Sequence, residues 1–297
     1  MKTPKRIEPL IEDGMVDEVL RPLMSGKEAA VYVVRCGRQL RCAKVYKEAD
    51  KRSFRQAAEY QEGRKVRNSR QARAMAKGSK YGRKEAEEAW QNAEVAALFR
   101  LASAGVRVPK PYDFLDGVLL MELVTDEDGQ AAPRLNDVHL EADQAREYHA
   151  FIIRQIVLML CAGLVHGDLS EFNVLLGPDG PVIIDLPQAV DAAANNHAFS
   201  MLERDVANMA HYFGRFAPEL KQTRYAKEMW ALFQEGKLLP DSVLSGTWKD
   251  DEHIADVGGV MREIEAAKFE DARRRAGREE AERGPVKGEE PPPPWAQ

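Results

Sequence analysis

Cysteine is scarce in this chain: Cys36, Cys42 and Cys161 are the three in 297 residues, and they form no CxxC pair. Three cannot all pair with one another, which suits a reducing compartment better than a disulfide scaffold. There is no apolar run of about eighteen residues, the length a bilayer-spanning helix needs. The opening MKTPKRIEPLIEDG also lacks the apolar stretch that follows the first charges in a secretory signal. These absences lead to the expectation of a cytoplasmic protein with no membrane partner. No fixed-period repeat occurs, which argues against a solenoid. A positive balance is missing too: at a net charge of −5 the molecule as a whole is not built to cling to nucleic acid.

What is present is more specific. The length suffices for one two-lobed molecule with a substantial core. Between Ala49 and Lys84 many Lys and Arg face only Asp50, Glu59 and Glu62. This reads as a solvated loop able to meet a phosphate-rich partner. The end, GREEAERGPVKGEEPPPPWAQ, is charged and Pro-rich, a composition that buries too little apolar area to offset ordering entropy. Disorder is expected there.

Along the chain, EAAVYVVRCGRQLRCAKVYK alternates at Val31, Val33, Cys42 and Val45 around Cys36-Gly37, the pattern of two or three antiparallel strands. From Glu85 the spacing of Trp90, Val95, Leu98 and Leu101 becomes helical, with Gly105 beyond as a stop. YDFLDGVLLMELV places Asp116-Gly117, a dipeptide suited to two positive φ angles, between two apolar runs and predicts a hairpin. Asp143 to Gly163 predicts a buried helix with Asp143 as cap. VLL and VIID then read as short strands joined by GPDG, and helices are expected near Ser200–Phe213 and Thr223–Gln234. The fold class that follows is α+β with two lobes. Its expected divisions are an N-terminal extension 1–22, an N-lobe 23–124 carrying the basic loop 49–84, a C-lobe 125–235 and a tail 236–297, with a hinge at Leu123–Asp126.

The chemistry is concentrated in LVHGDLSEFNVLL, Leu164–Leu176, where an apolar frame surrounds His166, Asp168, Ser170, Glu171 and Asn173. Burying such groups costs about 2–7 kcal/mol each unless they are paired or bound. If the VLL and VII strands pair, Asn173 before the first and Asp185 after the second share the open end of the hairpin. Their oxygens suit Mg²⁺, which favours one or two protein oxygen ligands together with substrate phosphates. Asp168 is then free to take a proton from an attacking hydroxyl, the division of labour of kinase phosphoryl transfer. His166 reads as a packed residue that orients the loop. Lys44 in CAKVYK, flanked by apolar residues, requires a counter-charge, and Glu94 on the long helix supplies one; the pair would aim the ammonium at phosphates. Upstream, MSGKEAAVY holds Gly26 but no GxGxxG; Ser25, Lys27 and nearby amides could cradle phosphates.

Together, SGKEAAVY, CAKVYK, LVHGDLSEFNVLL and IIDLPQAV resemble the RIO family of atypical protein kinases, the branch without an N-terminal winged helix, over about Leu23–Phe213. The resemblance implies a minimal protein-kinase fold with a β-rich N-lobe and a mainly helical C-lobe. By it, Asp168 is catalytic, Asn173 and Asp185 are metal ligands, Lys44 binds phosphate with Glu94 as its helix partner, and Ser25 belongs to the phosphate loop. Glu122 and Val124 match hinge positions whose backbone holds adenine, Met121 matches the gatekeeper, and Asp205 in ERDVANM matches a structural helix motif. Many relatives have Ala at Gly167 and Ser at Pro187.

The function this implies is an ATP-dependent serine/threonine protein kinase using Mg²⁺, or Mn²⁺ in its place, whose protein substrate includes itself. One alternative is an ATP-driven switch on ribosomal particles, with Asp185 as transient phosphate acceptor and the basic loop contacting RNA. Another is a small-molecule kinase, since HGDL also occurs in aminoglycoside-phosphotransferase-like enzymes.

Overall fold

The β-branched runs AAVYVVRC and QLRCAKVY pair in antiparallel register as β2 (Ala29–Cys36) and β3 (Gln39–Tyr46). The turn between them passes through Gly37 at φ 61°. The computed structural model describes residues 3–26, 28–47 and 80–248, with the backbone alone for 80–90. Lys27, most of the basic loop and the tail beyond Trp248 therefore lie outside the described residues.

A third strand precedes these two. β1 (Glu18–Ser25) pairs with β2 through two register irregularities, so the sheet begins inside the stretch expected to be an extension. The helix α1 (Glu8–Glu12) lies further upstream. Ile7, Leu10 and Val16 are buried with Val34, Ala43, Val45, Val118 and Leu120, so this segment covers one face of the sheet. Arg6 fastens it by donating from Nη1 to the Tyr46 carbonyl at 2.9 Å. Residues 3–17 are thus part of the N-lobe core.

α2 (Lys80–Ser103) starts earlier than the spacing predicted, its first residues falling within the end of the basic segment. The hairpin β4 (Pro111–Leu115) and β5 (Val118–Glu122) turns at Asp116 and Gly117, whose φ angles of 49° and 74° match the expected turn. The resulting sheet has the order β1-β2-β3-β5-β4.

The C-lobe opens with α3 (Ala142–Cys161). Its cap is Glu141 rather than Asp143: Glu141 and Gln144 satisfy each other's backbone amides in a capping box. Gly163, at φ 74°, turns the chain into β6 (Leu164–Val165), followed by β7 (Val174–Gly177), β8 (Gly180–Ile183) and β9 (Val190–Asp191). β6 pairs with β9 and β7 with β8. The helices α4 (Ala198–Phe213) and α5 (Tyr225–Gln234) complete the lobe.

One hydrophobic core joins the inner face of the N-lobe sheet (Tyr46, Leu119) to α2 (Leu98, Leu101), α3 (Ile152, Ile156, Leu160) and α4 (Met209, Phe213). The described residues after α5 are not a tail. Leu238 and Leu244 pack against this core, and Glu228 accepts from the Ser245 and Gly246 amides at 2.7 and 2.8 Å. The compact unit to which they belong runs to Trp248.

Candidate active site

The loop after β6 is held from below by α4. Asp205 Oδ2 accepts the Gly167 amide at 2.8 Å and Oδ1 the Leu169 amide at 2.9 Å. Arg204 donates to the Gly167 carbonyl, and Asn208 Nδ2 to the Leu169 carbonyl at 3.0 Å. The peptide groups on both sides of Asp168 are therefore fixed, while Asp168 itself is exposed between buried neighbours. Asp205 is 1% exposed. Burial pushes its carboxyl above the ordinary range, against the opposing pull of His166 and the two amides. His166 sits where a packed, orienting residue was expected: Nε2 lies 3.1 Å from the Ile184 carbonyl, and Nδ1 accepts the Asp168 amide at 3.3 Å.

The hairpin register sets the other two oxygen groups. Val174 faces Ile183 across β7 and β8, and the Ile184 amide donates to the Asn173 carbonyl at 2.9 Å. Asn173 and Asp185 consequently leave the hairpin at the same end. Asn173 donates Nδ2 to the Asp168 carbonyl at 2.9 Å, an arrangement that leaves the amide oxygen for another partner. Asp185 adopts φ 66°, left-handed for a residue with a Cβ, and its side chain is 50% exposed. Such a conformation is sparsely populated and clusters at functional sites.

From the N-lobe, Lys44 on β3 reaches towards Asp185. Its Nζ lies 2.5 Å from Glu94 Oε1 and 3.7 Å from Asp185 Oδ1. Glu94 is 4% exposed and accepts a second bond at Oε2 from the Tyr46 hydroxyl at 2.8 Å. Burial works against the ammonium's charge, but Glu94 and then Asp185 outweigh it and hold the Lys44 pKa above its ordinary value. Burial, followed by Glu94, also raises the Tyr46 phenol.

Ser25 ends β1 beside the short turn into β2, where the Gly26 amide donates to the Ala29 carbonyl at 2.9 Å. Where β5 leaves the sheet, Met121 is half-buried against the main core and a smaller cluster around Val33, Cys42 and Leu123. The Glu122 side chain is turned to Arg107, which donates Nη1 and Nη2 to it at 2.9 and 2.8 Å, and to the Lys110 amide at 3.0 Å. Burial favours the neutral acid, yet the Arg107 hydrogen bonds and the Lys110 amide together leave Glu122 below the usual carboxylate range. Any ligand contact at Glu122 therefore falls to its backbone. The Val124 carbonyl accepts from Ala132 at 3.0 Å, whereas its amide has no backbone partner among the described residues.

The structure thus places the Lys44 ammonium between Glu94 and Asp185 and ties Asn173 to the Asp168 backbone. Tyr46, Arg107, Arg204 and Asn208 escaped the sequence reading. Asp205 and Asn208 are three apart on a helix, a spacing that places them on one face and could have flagged them as a pair reaching one loop.

No group of three or more His, Cys, Asp or Glu suited to a metal occurs among the described residues. The donors at this point are the Asn173 amide oxygen and the half-exposed Asp185 carboxylate. An all-oxygen set of two protein ligands fits a cation that completes its shell with water and phosphate.

Comparison with known proteins gives a consistent result. The RIO domain family matches residues 30–226. The chain is 38% identical over 212 residues to the RIO-type serine/threonine-protein kinase Rio1 of Haloferax volcanii, covering 69% of this chain and 67% of that one. It is 34% identical over 208 residues to the protein of that name from Methanocaldococcus jannaschii, covering 69% and 66%. Against human serine/threonine-protein kinase RIO1 the identity is 30% over 217 residues, or 72% of this chain but 36% of the human one.

Proposed function

The chain belongs to the RIO family of serine/threonine-protein kinases, and from that premise we propose that it transfers the γ-phosphate of ATP to a protein hydroxyl, its own included, in a Mg²⁺-dependent reaction. The observation that carries this reading is the Lys44 ammonium held between Glu94 at 2.5 Å and Asp185 at 3.7 Å, which brings an N-lobe cation to the residue that follows the C-lobe hairpin.

In this reading Asp168 accepts the proton of the attacking hydroxyl. Its exposure and fixed backbone suit a base that must meet a protein side chain. Lys44 orients the α/β-phosphates, and Glu94 keeps the ammonium from swinging away. Asn173 and Asp185 would hold Mg²⁺, which when bound neutralises phosphate charge. The Val124 amide offers a donor for adenine between the lobes, and Ser25 a hydroxyl for the phosphates. Phosphoryl transfer asks mainly for positioning and charge stabilisation of this kind. The small-molecule alternative gains no support from the named relatives. The basic segment proposed to contact RNA lies, up to residue 79, outside the described residues.

Incubating the purified protein with γ-labelled ATP, with and without Mg²⁺, tests the reading. Label that requires Mg²⁺ and survives hydroxylamine is expected of a Ser/Thr kinase. Label lost to hydroxylamine would instead mark an acyl phosphate, as the switch reading with Asp185 as acceptor requires. No label and no ATP consumption would overturn both.

A further inference from the structure

The segment between β1 and β2 has too few glycines to wrap phosphates as a GxGxxG loop does, yet its Gly26 and Glu28 are bonded by a residue outside it. Lys47 follows β3 directly. Its ammonium donates to the Gly26 carbonyl at 2.6 Å and to Ser25 Oγ at 3.1 Å, and its backbone amide donates to the Glu28 carbonyl at 2.8 Å. Three bonds from one residue thus reach both sides of the turn. Two of them come from a cation at the exposed surface, where solvent screens part of the added strength of a charge-assisted bond.

The bond to Ser25 has a direction with a consequence. A hydroxyl has one proton and two acceptor lone pairs. Because Lys47 is donor only, Ser25 Oγ must accept from it, and the serine proton is left to donate elsewhere. A phosphate oxygen is such an acceptor.

We propose that Lys47 is a positioning residue: it ties Ser25 and Gly26 to Glu28 and polarises Ser25 so that the hydroxyl donates to a nucleotide phosphate. This rests on the ATP-binding reading above for its ligand, but the clamp itself is a property of the free protein. Ser25 and Gly26 pre-ordered in this way meet phosphate without first losing their own freedom.

Lys47→Met and Lys47→Arg test this. In the ATP-free protein, Lys47→Met should speed hydrogen exchange of the Gly26 amide at least tenfold, with Lys47→Arg restoring most of the protection. With ATP·Mg²⁺, Lys47→Met should raise KM for ATP about tenfold, the scale of one charge-assisted hydrogen bond, and leave kcat within about twofold because Asp168 is untouched. Ser25→Ala should add little in the Lys47→Met background while costing several-fold alone. Unchanged exchange in Lys47→Met overturns the clamp. Faster exchange with an unchanged KM, or fully additive Ser25→Ala, overturns the link to phosphate. If the unaltered protein binds no nucleotide, the kinase reading fails, and the exchange result still decides the clamp.

Discussion

Replacing Glu94 by Gln probes the buried ion pair that holds Lys44 in place beside Asp185. The side chain keeps its shape, and one oxygen can still accept from Tyr46, but the charge facing Lys44 is gone. Removing one partner of a buried ion pair costs about 3–5 kcal/mol, because the remaining charge stays desolvated. The Lys44 side chain is 15% exposed and retains Asp185 at 3.7 Å, so the low end, about 3 kcal/mol, is expected. For a folded unit of this size each kcal/mol moves Tm by roughly 2–4 °C, giving a fall of about 6–12 °C. Urea unfolding and thermal melts followed by circular dichroism measure it. The decisive comparison is Lys44→Met/Glu94→Gln, which deletes both charges. That double variant should regain part of the loss, with a coupling of about 1–3 kcal/mol. Two single-variant costs that simply add, or a Glu94→Gln protein as stable as its parent, would refute the claim that these side chains act as a buried pair.

Other consequences follow from groups beneath the site. His149 is 2% exposed, lies between Phe213 and Tyr225, and its Nε2 has no hydrogen-bond partner among the described residues. Burial lowers its pKa to about 4, below the ordinary value of about 6.5. Above pH 6.5 the imidazole is neutral folded or unfolded, and its contribution is intact. As pH falls from 6.5 towards 4 only the unfolded chain takes the proton, so stability should drop by about 2 kcal/mol between pH 7.5 and 5. Urea midpoints should shift accordingly, and less so in His149→Gln. Asp205→Ala leaves the buried Gly167 and Leu169 amides unpaired, at about 1–3 kcal/mol each. Phosphate transfer should fall at least tenfold while ATP binding through Lys44 persists, as kinetics and calorimetry can determine; an unaltered rate would separate Asp205 from the loop's function.

Much of the site was legible because its signals are local. Asp116-Gly117 and GPDG fix hairpins through turn chemistry, and once β7 and β8 pair, the positions of Asn173 and Asp185 follow from period-two geometry. Lys44 and Glu94 could be matched because a cation in an apolar strand demands a partner. β1 was harder to see. Its sequence EVLRPLMS contains Pro22 and exposed charges, which a strand tolerates only at a sheet edge, and the edge is where the sheet order places it. α1 is five residues long, too short for a periodic pattern, and its value lies in the tertiary burial of Ile7 and Leu10. Arg107 and Asn208 act through partners distant in sequence, and no local spacing pairs Arg107 with Glu122. The polar segment after α5 carries no periodic signal, because it is held by backbone bonds to Glu228 and by Leu238 and Leu244.

The proposed reaction needs Asp168 as the proton acceptor in a site assembled by Lys44, Asn173 and Asp185. Transfer of label from γ-labelled ATP by Asp168→Ala, measured beside its affinity for ATP·Mg²⁺ by calorimetry, tests that most directly. Transfer reduced by a hundredfold or more, with affinity within about threefold of the parent, is the predicted result; transfer at the parental rate would contradict it.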